Sequence, residues 1–226
     1  MIETIPQGTL PTGCKACIAL TSWKKRITTV GTTIFNLLHI CGTQYHIVLT
    51  LSEDEFPSKE HDLPHDLVLM NKAHLFEILW VKKNYKAFKK WIFCSMKYPN
   101  VPIISADDDC IYLNNYAEIL YAAWLKNKNN VISNEPNIKL SIELPCGCGT
   151  LYPPRQKLRN AIEVVLTKPN IVELNNDDMC IGYILKKLNI SISYAFTGYP
   201  LFHDDNDGGN YDSNEAMYNA LLSLFP

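Results

Sequence analysis

Four short stretches of the chain are apolar at nearly every position: ACIALTS (16–22), YHIVLTL (45–51), LFEILWV (75–81) and VPIIS (101–105). Successive side chains of a strand point to opposite faces of its sheet. A strand that is apolar on both faces must be covered on both, which is the condition of an inner, parallel strand packed between helices. Between these stretches the apolar period lengthens to that of a helix. ITTVGTTIFNLLHI (27–40) sets Ile34, Leu37 and Leu38 at helical spacing. NYKAFKKWIFCSMKYP (84–99) gathers Phe88, Trp91, Ile92 and Met96 on one face and Lys86, Lys89, Lys90 and Lys97 on another. Strands separated by helices imply an α/β fold with a mostly parallel central sheet flanked by helices.

The remaining segments fit around that frame. The polar stretch 52–66, with its two prolines, reads as loop. A short helix is expected over 66–73, and longer ones over 116–128, 155–168, 177–189 and 215–225. NIKLSIEL (137–144) alternates like an exposed or edge strand, and ISISYAF (190–196) supplies a last strand. The irregular region 130–155 interrupts the rhythm. No repeat or linker divides the 226 residues, so one domain is expected over 1–226.

Apolar residues make up 47% of the chain, enough for a sizeable core, and the net charge of −2 lacks the basic footprint of a nucleic-acid binder. The first residues, MIETIPQGTLPTG, lack the basic start and apolar stretch of a secretory leader. The apolar runs fall short of a membrane span. A cytoplasmic protein is expected, with peripheral membrane association left open. Of the eight cysteines, Cys14 and Cys17 form one close pair and Cys146 and Cys148 another. A zinc site would need matching knuckles or nearby histidines. The pairs differ in spacing and no histidine is near, so the thiols read as reduced and mostly in the core.

The apolar stretch at 101–105 ends in Asp107, Asp108 and Asp109. If the chain stays extended there, Asp107 and Asp109 share a face and Asp108 points away. Open α/β sheets bind ligands at the carboxyl ends of their strands. Two carboxylates converging there repel unless a cation sits between them, and hard oxygen donors suit Mn²⁺ or Mg²⁺. Such a cation would neutralise the oxygens of a diphosphate leaving group. A solvated acidic turn is the alternative.

The ordered set of motifs resembles the GT-A fold, the Rossmann-type sandwich of nucleotide-sugar glycosyltransferases, in the family 2-like form that builds bacterial surface polysaccharides. ADDD followed by YLNNY resembles its Asp-x-Asp motif. ALTSWKKRI (19–27), IVLTLSEDEFP (47–57), VKKNYKAFKKW (81–91), GCGTLYPP (147–154) and NNDDMCIGYIL (175–185) are similar to further segments of the family. The resemblance covers most of residues 16–200. It implies a nucleotide-binding part at about 14–115, an acceptor and catalytic part at about 116–200, and a C-terminal loop and helix at 201–226. It further implies a UDP-sugar donor, a glycan or lipid-linked glycan acceptor, and transfer with inversion. By the same resemblance, Asp107 and Asp108 lie at the nucleotide, Asp109 and Asp107 at the metal, and Thr21, Ser22 and Arg26 approach the donor. Glu53 or Asp54 accepts from the base or ribose, and Lys86 and Lys89 face the phosphates or, equally, form a solvated helix face. Of the paired acids Asp177 and Asp178, the second is the implied catalytic base. Both also stand where a helix begins, a position that favours carboxylates for structural reasons alone.

Gly147 and Gly149 suit close backbone approach to a sugar or, equally, a tight turn. The resemblance offers His203 as a further metal ligand. Its segment also partly matches a calcium loop, with Asp204, Asn206, Gly209 and Glu215 at the first, third, sixth and twelfth positions, but Gly208 stands at the fifth. Two rivals stay open. A haloacid-dehalogenase-type phosphatase would use Asp107 as nucleophile and Asp109 as acid. A non-catalytic sugar- or calcium-binding module would bind without turnover.

Overall fold

The computed structural model describes residues 2–202 and 213–225. In chain order its elements are β1 (Ala16–Thr21), α1 (Val30–Cys41), β2 (Tyr45–Ser52), α2 (His65–Lys72), β3 (Glu77–Val81) and α3 (Lys89–Lys97). Then follow β4 (Ile103–Ser105), β5 (Cys110–Ile111), α4 (Tyr116–Lys126), β6 (Val131–Ser133), β7 (Asn137–Lys139) and β8 (Ile142–Leu144). The last part comprises β9 (Thr150–Tyr152), α5 (Gln156–Leu166), α6 (Pro169–Val172), α7 (Asp177–Lys187), β10 (Ile192–Tyr194), β11 (Leu201–Phe202) and α8 (Asn214–Leu224).

Seven strands form the central sheet in the order β10-β6-β9-β4-β1-β2-β3. All its pairings are parallel except those of β9, which runs against both β4 and β6. Of the four apolar stretches, β1, β2 and β4 are inner strands, whereas β3 forms one edge of the sheet, where Glu77, Ile78 and Trp80 are only partly buried. In β1, Ala16, Ile18 and Leu20 pack into one core with Val30, Ile34 and Leu37 of α1, Leu67 of α2, and Leu120 and Trp124 of α4. Cys17 and Ala19 face the other core, built with Trp91 and Ile92 of α3, Leu158 and Ile162 of α5, Met179 and Ile181 of α7, and Met217 and Leu221 of α8. One strand thus feeds two hydrophobic cores through its side-chain alternation. This is a mixed α/β sandwich with a mostly parallel central sheet.

Two expectations need correction. The segment 137–144 is not one edge strand but a separate hairpin of β7 and β8, turning through Leu140 and Ser141, both at positive φ. Positive φ at both turn residues is the type I′ signature. The usual Asn-Gly signal is missing, so the turn is silent in the sequence. On α3, Lys89 and Lys90 do not lie on a solvated face: both are buried. Among the described residues no helix is long and apolar enough to cross a membrane.

β1 lies between β4 and β2, and the chain moves outward from it in opposite directions. The β1/β4 border is therefore a topological switch point, where crossovers leave on either side and open a crevice at the strands' carboxyl ends. In the register, Ala19 stands opposite Ser105, and the Ala106 amide donates to the Ala19 carbonyl at 3.0 Å. The aspartates begin one residue later, at that crevice.

Candidate active site

Asp107, Asp108 and Asp109 occupy the turn between β4 and β5. The turn is held from below by α1. Thr33 Oγ1 donates to the carbonyls of Asp108 (3.0 Å) and Cys110 (2.9 Å). Asn36 Oδ1 accepts from the Tyr112 amide at 2.7 Å, and the Asp107 amide donates to Tyr112 Oη at 2.7 Å.

Within this turn the three carboxylates have different partners. Asp108 is buried, accepting from Ser22 Oγ at 2.6 Å and from Arg26 at 3.1 Å. Burial pushes its carboxyl up, while Ser22 and Arg26 oppose the shift. Arg26 also pairs with Asp109 at 2.8 Å. Asp107 instead meets Lys90 Nζ of α3 at 2.5 Å. Asp107 and Asp109, with Cys110, place one ligand atom each within 4.8 Å of one another. Burial raises the Cys110 thiol far above its usual range, aided by the neighbouring aspartates. A neutral thiol is a poor donor to a hard cation, so the usable set is two carboxylate oxygens. That set fits Mn²⁺ or Mg²⁺, which take further oxygens from water and phosphate. Asp107 and Asp109 would hold such an ion, which would supply charge stabilisation to a departing diphosphate.

The second acid pair arrives on α7. Asn176 is the N-cap: its side chain accepts from the Met179 amide at 3.0 Å and donates to Ser213 (3.0 Å) and Asn214 (3.1 Å). The capping role is therefore filled one residue ahead of the acids, and Asp178 is turned into the crevice. Gly147 shows where. A Cβ added there would lie 3.2 Å from Asp178 Oδ2, 3.5 Å from Asp107 Oδ2 and 3.6 Å from Lys90 Nζ. A side chain at Gly147 would thus crowd the tips of these three groups, the Asp178 carboxylate most closely. Burial drives the Asp178 carboxyl well up, Asp177 adds to this, and Lys90 opposes it. Burial likewise raises Asp177. For Lys90 burial disfavours the charge, but Asp107, Asp177 and Asp178 outweigh it and hold the ammonium above the usual lysine range.

Other candidates stand apart from this cluster. Thr21 Oγ1 donates to the Thr50 carbonyl at 2.7 Å, at the rim between β1 and β2. Glu53 pairs with Lys59 at 3.0 Å, and Asp54 accepts from the Asn84 amide at 3.1 Å. Lys86 pairs with Glu173 at 2.6 Å on the surface. Lys89 is turned inward to Glu55 (2.8 Å) and Asn84 (3.0 Å), so neither lysine meets the aspartates. Lys90 does, and sequence reasoning placed it only on a polar helix face. Its signal is phase: Lys90 lies one residue before Trp91, which stacks on Tyr152 of β9 at 4.7 Å. Gly149 serves packing, since a Cβ there would come within 3.0 Å of Asn134 Cβ. His203, Asp204, Asn206, Gly208 and Gly209 lie outside the described residues. Glu215 is an exposed residue in the first turn of α8.

No protein-family model and no curated protein matches the sequence. Solved structures do match in fold. Glucosyl-3-phosphoglycerate synthase from Mycobacterium tuberculosis, in complex with Mn²⁺, uridine diphosphate and phosphoglyceric acid, aligns with a TM-score of 0.58 at 9% identity. The alignment covers 93% of this chain and 78% of that one. A second structure, described as a mycobacterial protein, aligns with a TM-score of 0.57 at 9% identity over 93% of this chain and 74% of its own. At that identity the likeness is one of fold.

Proposed function

We propose, from a GT-A-like sandwich with its acids at the switch point, that this chain is a metal-dependent glycosyltransferase acting on a nucleotide sugar. The observation that carries the reading is the convergence of Asp107, Lys90 and Asp178 on Gly147, beside the Asp109 carboxylate. Separate elements, α3, the β4–β5 turn and α7, deliver these groups to one point. The fold neighbour that holds Mn²⁺ and uridine diphosphate supports a UDP-sugar donor and a divalent cation.

In this reading Asp107 and Asp109 hold the cation against the donor diphosphate. Ser22 and Arg26 keep Asp108 and Asp109 in place as that charge arrives. Asp178 takes the proton from an acceptor hydroxyl as it attacks the anomeric carbon, which leads to inversion. Gly147 lets acceptor and donor approach the base without a side chain between them. The acceptor is a sugar hydroxyl of a glycan or lipid-linked glycan.

A thermal-shift panel of UDP-, GDP-, CMP- and TDP-sugars with and without Mn²⁺ tests this reading. Stabilisation by UDP-sugars only when Mn²⁺ is present is the expected outcome. Equal shifts without metal, or none with any nucleotide, would refute it.

A further inference from the structure

Cys146 and Cys148 flank Gly147, and their sulfurs lie 3.1 Å apart without being bonded. Of the chain's eight cysteines only Cys14 and Cys148 are not buried. One member of the pair is therefore half-buried and the other buried. The shared hydrogen bond draws the Cys146 thiol below its usual range, against the effect of burial, and together with burial pushes the Cys148 thiol far above it.

We propose that Cys146 and Cys148 form a reversible thiol–disulfide site that accepts small-molecule disulfides such as oxidised glutathione and disables the catalytic rim when oxidised. Cys148, the less buried of the two, passes its proton to the Cys146 thiolate and attacks one sulfur of the incoming disulfide. That S–S bond breaks, one small thiolate leaves, and a mixed disulfide forms. Cys146, its proton given up to that thiolate, then attacks Cys148 Sγ, expelling the second small thiolate. The protein pair loses two electrons, the oxidant gains them, and the two thiol protons pass to the released thiolates.

The consequence for the rim follows from the anchors of this turn. The Cys146 amide donates to Ser133 Oγ at 2.9 Å, and its carbonyl accepts from Thr150 Oγ1 (2.8 Å) and the Gly149 amide (3.1 Å). Bonded sulfurs lie about 2.0 Å apart. With Cys146 and Gly149 anchored, the closure falls on the Gly147 peptide. The neighbours of that peptide are Asp178, Asp107 and Lys90. The effect on turnover rests on the glycosyltransferase reading; formation of the bond does not.

The test uses the full chain carrying Cys14→Ser, treated with oxidised glutathione and analysed by intact mass and peptide mapping. The expected product is lighter by two hydrogens, with the bridge mapped to residues 146–148. Mn²⁺-dependent turnover of a UDP-sugar should fall by about a hundredfold, as for a misplaced catalytic group, and return on reduction. Adding Cys148→Ser should retain turnover in the presence of the oxidant. A lasting glutathione adduct with no bridge would overturn the proposal, as would a bridged protein with full turnover. Should the reduced protein turn over no UDP-sugar, the glycosyltransferase reading alone fails, and amide exchange decides. Altered exchange in the peptide containing Asp178 on bridging would uphold the coupling; unchanged exchange would end it.

Discussion

Asp178 stands between two opposing influences. Burial and the Asp177 carboxylate push its pKa up, and the Lys90 ammonium pulls it down. A base works only when ionised, so the rate is present above its pKa and lost as pH falls through it. With the pKa raised, the acid limb of the rate profile should lie above the ordinary carboxylate range. Lys90→Met removes the opposing charge and should move that limb to still higher pH, read from kcat against pH. Asp178→Asn should lower kcat by roughly 10²- to 10⁴-fold. It should leave the UDP- and Mn²⁺-dependent thermal shift in place. Asp109→Ala should abolish that metal-dependent shift. At this scale the acids were legible because each follows or opens a recognisable element. Lys90, Thr33, Asn36 and Tyr112 were not, because each contributes through a contact distant in sequence, such as Asn36 to Tyr112. No local pattern encodes such a contact.

α7 packs against the β7–β8 hairpin through Gly182. A Cβ there would lie 2.6 Å from the Glu143 carbonyl oxygen, 2.8 Å from Leu144 Cδ2 and 3.2 Å from Ile142 Cγ2. The nearest of these is backbone and cannot turn aside. In a helix interior alanine is intrinsically better than glycine by about 1 kcal/mol. Here overpacking should reverse the sign, and Gly182→Ala should cost about 1–3 kcal/mol, measured by urea unfolding. A more stable variant would mean that the hairpin yields to the helix. Elements with long periodic patterns, such as α1, α5 and α7, emerged close to the segments expected from sequence. Strand β6 did not, because it lies in the irregular region 130–155, where no helix separates one strand from the next. Its place is set by pairing, Ser133 with Thr150 and Thr150 with Ser105.

Across the whole molecule, the outer part of the sheet is tied to α3 through one acid. Glu77 on β3 accepts from His46 of β2 (2.8 Å), Lys97 of α3 (2.6 Å) and Tyr98 (2.6 Å). Burial alone would raise its pKa, but these partners outweigh it and bring it down to about 2. A depressed carboxylate contributes stability that is fully present above its unfolded pKa, about 4.3, and is lost as pH falls toward the folded value. The depression corresponds to roughly 3 kcal/mol at about 1.4 kcal/mol per unit. Denaturant unfolding of the wild type and of Glu77→Gln should therefore differ most near neutrality and converge near pH 2. A gap that persists at pH 2 would place the effect elsewhere. The general α/β layering could be read from strands apolar on both faces. The reversal of β9 could not, since direction leaves no mark on so short a strand. That reversal has an evolutionary corollary. Because Ser133 and Thr150 are neighbours, the excursion between them departs from and rejoins the sheet at a single spot. A change of length at the tip of the β7–β8 hairpin therefore need not shift a strand, whereas the return to β9, which carries Gly147, is held by its neighbours.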